Sequence, residues 1–368
     1  MSVFDVLVGQ EVATSRLRAA VAGDGMTHAW LFTGPPGSGR SVAARAFAAA
    51  LQCPAGGCGS CDSCRQVAAR SAPDVTLIRP EGVAILKGDA ELIIGRMARR
   101  PQSSPWTVVV VEDADRLTDI AANMLLKTLE EPPPQAVLLL CAPSTEDILA
   151  TIRSRCRSVV LALPSTADIT AVLTAEGVPE DRARWAAGAA QGHVGRARAL
   201  ATDESAREQR QRALAIAGRL SSVGECLEAS ADLVTAATAE AKVRTAAAVE
   251  EADALLEAVG KVRGSAGLRK EVENRIKSQT KRSRRDALDR ALVDLAAWYR
   301  DVTVTQLGGT TLVHADQADA IRSAAATSSA EVNLRRVEAI LACREVLTET
   351  NVDELLAVER MALALRSA

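Results

Sequence analysis

An α/β domain with a parallel sheet between helices is expected over about the first 160 residues of this chain, followed by a region built of helices alone. Three observations predict this. Short uninterrupted apolar runs, such as Val108–Val111 and Val137–Cys141, alternate with helix-length segments, the pattern of strands buried on both faces of a sheet. A glycine-rich stretch, Gly34-Pro35-Pro36-Gly37-Ser38-Gly39-Arg40-Ser41, stands between an apolar run, Ala29–Phe32, and an Ala-rich helical run, Val42–Leu51. Beyond Ser205 the apolar residues keep helical spacing, as in Leu288, Leu292, Leu295 and Tyr299, or Val337, Ile340 and Leu341.

In chain order, the first strand is Ala29–Phe32 and the first helix Val42–Leu51. A strand over Asp74–Ile78, a helix over Asp89–Arg100 and a strand over Val108–Val111 follow, then a helix over Thr118–Glu131 and strands over Val137–Cys141 and Ser158–Leu163. Pro164 and Ser165 close this domain, residues 1–163. Helices over Thr166–Glu176, Pro179–Ala190 and Gly195–Ala201 make a small three-helix unit, residues 164–204, and residues 205–368 form the all-helical remainder.

The chain has 368 residues, enough for two or three domains, and is 48% hydrophobic and 24% charged, as soluble globular proteins are. Aromatics are 2%, so the cores must be built from Ala, Leu and Val. A net charge of -2 argues against general nucleic-acid affinity, and any such contact must be local. Met1–Val6 lacks a basic segment leading into an apolar core, and no apolar run approaches the ~18 residues of a membrane span, so a cytoplasmic protein is expected.

The glycine-rich stretch has the context of a phosphate loop, in which backbone N–H groups and a helix N-terminus face an anion, a lysine reaches the outer phosphates and a hydroxyl holds magnesium. Gly34, Gly37, Gly39 and Ser41 fit, but Arg40 stands at the lysine position. A second element, the apolar strand Val108–Val111 ending in Glu112-Asp113, fits a magnesium and water-activating site, with a solvated strand end as the plain alternative. Working enzymes place Asp before Glu. The reversed order shifts both carboxylates, and misplacements near ~1 Å can cost ~100-fold in rate.

Cys53, Cys58, Cys61 and Cys64 have the spacing of a tetrahedral structural zinc site with no position left for water. A redox pair in the overlapping Cys-x-x-Cys steps, or unligated surface thiols, are the alternatives. Arg155, in the turn Ser154-Arg155-Cys156, can be a structural ion pair or an arginine finger for a neighbouring subunit's nucleotide. Lys261–Arg290 carries eleven basic residues against four acids, a net of +7. It reads as a solvated helix face, or as a contact for DNA phosphates or an acidic partner, and no aromatic interleaves to stack on bases.

Val8-Gly9-Gln10, the phosphate loop with its cysteines, Ala121–Pro133 containing Leu-Leu-Lys-Thr-Leu-Glu-Glu-Pro, and Ser154-Arg155-Cys156 together resemble the bacterial DNA polymerase III clamp loader, its delta-prime family above all. Alone, Leu125, Leu126 and Leu129 would indicate only an amphipathic helix; it is the particular run that is informative. The resemblance covers about residues 1–203 and implies an AAA+ nucleotide-binding domain with an inserted zinc module (53–64), a three-helix lid and a helical collar that joins subunits into a five-membered ring. It implies gamma/tau and delta subunits as partners, and the sliding clamp and primed DNA through the complex.

Against the active gamma/tau pattern, Arg40, Glu112 and Asp113 are altered, and Ala142-Pro143 replaces a polar sensor. Arg196 lies at or one residue beyond the lid arginine that senses nucleotide. The resemblance therefore implies a subunit that hydrolyses no ATP itself and offers Arg155 to its neighbour, with ATP binding left open. Two other readings stand beside it: an active gamma/tau-type ATPase motor with Arg40 replacing lysine, and a zinc-bearing DNA-binding module outside any ring.

Overall fold

The computed structural model describes residues 2–80, 84–259, 265–350 and 352–367. Contacts divide the chain into two units, residues 1–80 with 84–201 and residues 202–368. Among the described residues no helix is long and apolar enough to cross a membrane.

The first unit is built on five parallel strands: β1 (Ala29–Thr33), β2 (Val75–Ile78), β3 (Thr107–Val111), β4 (Ala136–Ala142) and β5 (Arg157–Val160), ordered β2-β3-β4-β1-β5. Their side chains alternate between two cores. On one face Trp30, Phe32, Val108, Val110, Val137 and Leu139 pack with Leu17 and Phe47, which belong to α1 (Glu11–Val21) and α2 (Arg40–Gln52). On the other face Leu31, Val109, Leu138 and Leu140 pack with Ile93, Leu125 and Ile152, from α4 (Lys87–Met97), α5 (Asp119–Glu130) and α6 (Ala150–Arg153). A sheet covered on both faces accounts for the uninterrupted apolar runs. A short α3 (Asp62–Ala68) follows α2, and α7 (Thr166–Ala175), α8 (Glu180–Ala189) and α9 (Val194–Thr202) supply the three helices expected after the sheet.

Several boundaries differ from expectation for identifiable reasons. The Asp89 carboxylate accepts the backbone N–H of Leu86 at 2.8 Å, which places Asp89 inside the first turn of α4 instead of at its start. The helix ends at Met97, ahead of Pro101, rather than at Arg100. β5 stops at Val160 instead of Leu163 because β1 ends at Thr33, whose carbonyl takes the Leu161 N–H at 2.7 Å. The next residue is paired by a side chain: the Gln10 amide accepts from Ala162 N at 3.1 Å and donates to Ala162 O at 2.6 Å. The helices α1 and α3 were not expected; α1 buries only Ala13, Leu17 and Ala20, a stripe too thin to stand out.

The second unit is helical: α10 (Glu204–Ala215), α11 (Val223–Val259), α12 (Ser265–Gln306), α13 (Ala318–Thr327), α14 (Ala330–Glu349) and α15 (Glu354–Ser367). Leu288, Leu292, Leu295 and Tyr299 are buried as their spacing predicts, and Val337 and Ile340 join the same core. Leu341 does not, being 46% exposed, because the buried row of α14 continues through Cys343 and Leu347.

A charged cluster is buried in this helical unit. His314 is fully buried; its Nδ1 is 3.2 Å from Asp301 Oδ2, and its Nε2 is 3.9 Å from Asp294 Oδ1. Burial opposes the imidazolium, but the carboxylates of Asp294 and Asp301 outweigh it and raise the His314 pKa above its usual value. A raised histidine contributes stability that is full below about pH 6.5, its unfolded pKa, and is lost as pH rises through the folded value. Thermal melts between about pH 6 and about pH 9 should decline with pH, and the decline should flatten in Asp294→Asn. An equal decline in both proteins would refute the assignment.

Candidate functional site

The loop between β1 and α2 requires its glycines. Gly34 has φ 153°, and a Cβ there would lie 2.3 Å from Leu161 O and 2.6 Å from Ser38 Oγ. Gly37 has φ 95°, and a Cβ would lie 2.9 Å from the Cβ of His193. His193 immediately precedes α9, and its Nδ1 accepts the Arg196 backbone N–H at 3.2 Å. The turn carrying Arg196 is thus seated against the glycine-rich loop. Gly39, also at positive φ, leads into α2, whose first residues are Arg40 and the half-buried Ser41.

Arg40 turns back on its own loop, its Nη1 donating to the carbonyl of Gly34. Where a phosphate-loop lysine would extend to the anion, this cation therefore has a backbone partner. The Ser38 hydroxyl is buried without one. Beside the loop, Gly34 N donates to Pro143 O at 3.1 Å, so the Ala142-Pro143 position that replaces a polar sensor holds the loop through its backbone.

Glu112, only 2% exposed, is also taken up internally. Its Oε1 is 3.3 Å from Arg45 Nη1 on α2, and its Oε2 accepts from Arg79 Nε at 2.6 Å, just beyond β2. Burial lowers the Arg45 pKa and the Glu112 charge partly restores it. Asp113 has φ 52° and leads into a 3-10 turn, Ala114–Arg116. Within that turn the Asp115 carboxyl is held above its ordinary pKa by burial and then by the charge of Asp113.

Arg155 is at the other end of the sheet. Parallel β1 and β5 align Trp30 with Arg157 and Thr33 with Val160, so the loop after β1 lies beyond the far end of β5, whereas Arg155 precedes its near end. Arg155 Nη2 donates to Glu130 Oε1 at 2.6 Å and Nη1 to Thr151 O at 2.8 Å and Ser154 Oγ at 3.2 Å. The side chain keeps 35% exposure, and that of Glu130 keeps 52%. The structure thus brings the phosphate-loop residues, Glu112, Asp113 and Arg196 to one region and separates Arg155 from them.

The four clustered cysteines converge. Their sulfurs all lie within 4.8 Å of one another, with Cys53 Sγ 3.7 Å from Cys58 Sγ and 3.6 Å from Cys61 Sγ. Thiolates at the corners of a zinc tetrahedron are about 3.8 Å apart. None of the four is in a disulfide. Hydrogen bonds from the Ser60 backbone and hydroxyl bring the Cys58 pKa down to about 6. Burial raises Cys53, but backbone N–H groups led by that of Cys58 outweigh it and lower its pKa, while burial pushes Cys64 up to about 12. The donor set and spacing fit a metal ion.

The sequence did not reveal Arg45, Arg79 or Glu130 as partners of site residues. Glu130 lay within the informative Leu-Glu-Glu-Pro run, and Arg45 one turn and a half past the loop, but no spacing rule pairs either across the sheet.

Five parallel strands between helices, a glycine-rich loop after the first and an acidic turn after the third make up an α/β domain. Residues 9–165 match the family model described as DNA polymerase III, delta subunit. The Bacillus subtilis DNA polymerase III subunit delta' is 33% identical over 139 residues, 37% of this chain and 42% of that one. The Mycobacterium tuberculosis H37Rv DNA polymerase III subunit gamma/tau is 33% identical over 159 residues, 41% of this chain and 27% of its own length. A Thermotoga maritima crystal structure, of a DNA polymerase III gamma subunit-related protein, overlays 96% of this chain and 98% of its own at 18% identity with a TM-score of 0.45. Over residues 9–165 the chain is similar to DNA polymerase III delta-prime subunits. It spans less than half the length of the curated relatives it matches.

If Glu112 is a structural counter-ion, Glu112→Gln should lower stability by about 1–3 kcal/mol, measured by urea unfolding, since it leaves two arginines facing a neutral amide. A solvent-facing magnesium ligand would show no such loss.

Proposed function

We propose that this chain is a stator subunit of a DNA polymerase III clamp loader, which turns over no ATP itself and presents Arg155 to the nucleotide of an adjacent gamma/tau subunit. The observation that carries this reading is the placement of Arg155 at the end of the sheet opposite the chain's own phosphate loop. An arginine there cannot serve that loop, so any phosphate it meets belongs to another chain. Arg40 and Glu112 support the same reading, because the Gly34 carbonyl and two arginines already engage them. A finger supplies positive charge to the transferring phosphoryl group and is worth ~10³ to 10⁵ in rate at its site. In this reading residues 164–204 act as the lid, residues 205–368 as the collar that joins the other subunits, delta included, and the complex brings the sliding clamp to primed DNA.

The ion pair with Glu130 suits that task. Both side chains are substantially exposed, and such pairs contribute only about 0–1 kcal/mol. Glu130 therefore orients the guanidinium without holding it against a stronger anion.

The similarity to gamma/tau subunits favours a second reading, an active motor with Arg40 in place of lysine. The two readings differ in the turnover of the isolated chain. The stator should show no magnesium-dependent ATP hydrolysis above background, and turnover abolished by Arg40→Ala would establish the motor instead.

We also infer that Cys53, Cys58, Cys61 and Cys64 hold a structural zinc ion, on the strength of the sulfur spacing and the four free thiols. Elemental analysis should find one zinc per purified chain, and Cys58→Ser should lose it together with thermal stability; a folded, metal-free protein would exclude the site. For the finger, Arg155→Ala should leave the melting temperature of the chain unchanged while lowering ATPase and clamp loading of the reconstituted complex at least tenfold. Unimpaired loading would remove Arg155 from the mechanism.

A further inference from the structure

The basic segment of α12 contributes nothing to the site described above, and it borders a cavity. Lys261 and Arg263 lie outside the described residues. Within α12, Lys270, Lys277, Lys281 and Arg284 recur at seven, four and three residues, so they share one face, with Glu273 beside the row. The row covers roughly 20 Å along the helix. Lys277, Lys281 and Arg284 line a groove of about 520 Å³ whose opposite wall includes Val352, Asp353 and Glu354.

Two guanidinium groups meet at one wall of this groove. Glu354 Oε2 accepts from Arg284 Nη2, and its Oε1 accepts from Arg285 Nε at 3.1 Å. One carboxylate therefore faces two guanidinium groups. Arg285 is only 8% exposed, yet among the described residues both of its terminal nitrogens, Nη1 and Nη2, are buried with no hydrogen-bond partner, and Arg284 Nε is likewise unpartnered. Buried donors on a charged group ordinarily find acceptors, and guanidinium donors pair best with the paired oxygens of a phosphate or carboxylate. Asp353 does not supply them, because its Oδ1 caps α15, accepting from Leu355 N at 2.9 Å and Leu356 N at 3.2 Å.

We propose that this face of α12, with the start of α15, is an anion site that takes the phosphodiester backbone of duplex DNA. A row of cations at helical spacing suits a linear array of phosphates better than a single compact anion. The absence of aromatic residues from Lys261–Arg290 points to backbone contact without stacking on bases. Glu354 then acts as an internal counter-ion that an incoming phosphate must share the two arginines with. This inference stands independently of Arg155 and of the zinc site.

The test is fluorescence anisotropy of the full chain with a labelled, random-sequence 20-bp duplex over a salt series. The wild type should bind at low salt. The pair Lys277→Ala/Lys281→Ala should weaken binding about tenfold or more and reduce the slope of log affinity against log salt by about two, in protein that still melts cooperatively. Glu354→Gln, which removes the competing carboxylate, should tighten binding several-fold, a gain that a purely structural role would not produce. The proposal fails if the lysine pair changes neither affinity nor slope. It also fails if the duplex does not bind while pyrophosphate or poly-glutamate binds in a Lys277- and Lys281-dependent way.

Discussion

The shared direction of the five strands is the constraint on which the first unit depends. When every strand runs the same way, every turn that follows a strand emerges at one end of the sheet and every turn that precedes a strand lies at the other. The glycine-rich loop, Glu112-Asp113 and Ala142-Pro143 each follow a strand and therefore gather together. Arg155 precedes one and is excluded from that group. The separation of Arg155 from the glycine-rich loop thus follows from topology before any side-chain chemistry is considered.

At the gathered end, Arg40 and Glu112 each have a partner inside the molecule. Arg40 meets a carbonyl of its own loop, and Glu112 links α2 to the end of β2 through Arg45 and Arg79. These bonds convert groups suited to a moving anion or metal into ties between secondary-structure elements. A buried carboxylate facing two guanidiniums is costly to disturb, so such a centre favours a fixed arrangement over one that changes during a reaction cycle.

The sheet was legible because its strands are buried on both faces and read as continuous apolar runs, and the glycine-rich turn because its glycines occupy backbone positions other residues cannot adopt. The cysteine cluster was legible from spacing, since all four thiols sit within twelve residues. What the sequence withheld were pairings between distant positions. Arg45 and Glu112 are 67 residues apart, Arg79 and Glu112 are 33, and Arg155 and Glu130 are 25. Helical spacing relates residues three or four apart, so it has no bearing on these. The end of β5 was misread for a similar reason, since a strand's length depends on its neighbour: the apolar character of Leu161 and Leu163 persists after β1 has ended.

The amide of Gln10 completes the picture of how this domain is held. Its Nε2 reaches Ala162 O at 2.6 Å and Ser38 O at 3.4 Å, while its Oε1 receives Ala162 N. One side chain therefore splices the glycine-rich loop to the segment through which the chain leaves the sheet for α7. Pulling either apart breaks bonds of about 0.5–1.5 kcal/mol each, so displacement at the exit is communicated to the loop and displacement of the loop to the exit. Glutamine is suited to this because its amide carries the same donor and acceptor as a peptide group, and here it extends the sheet by one residue where the main chain has run out.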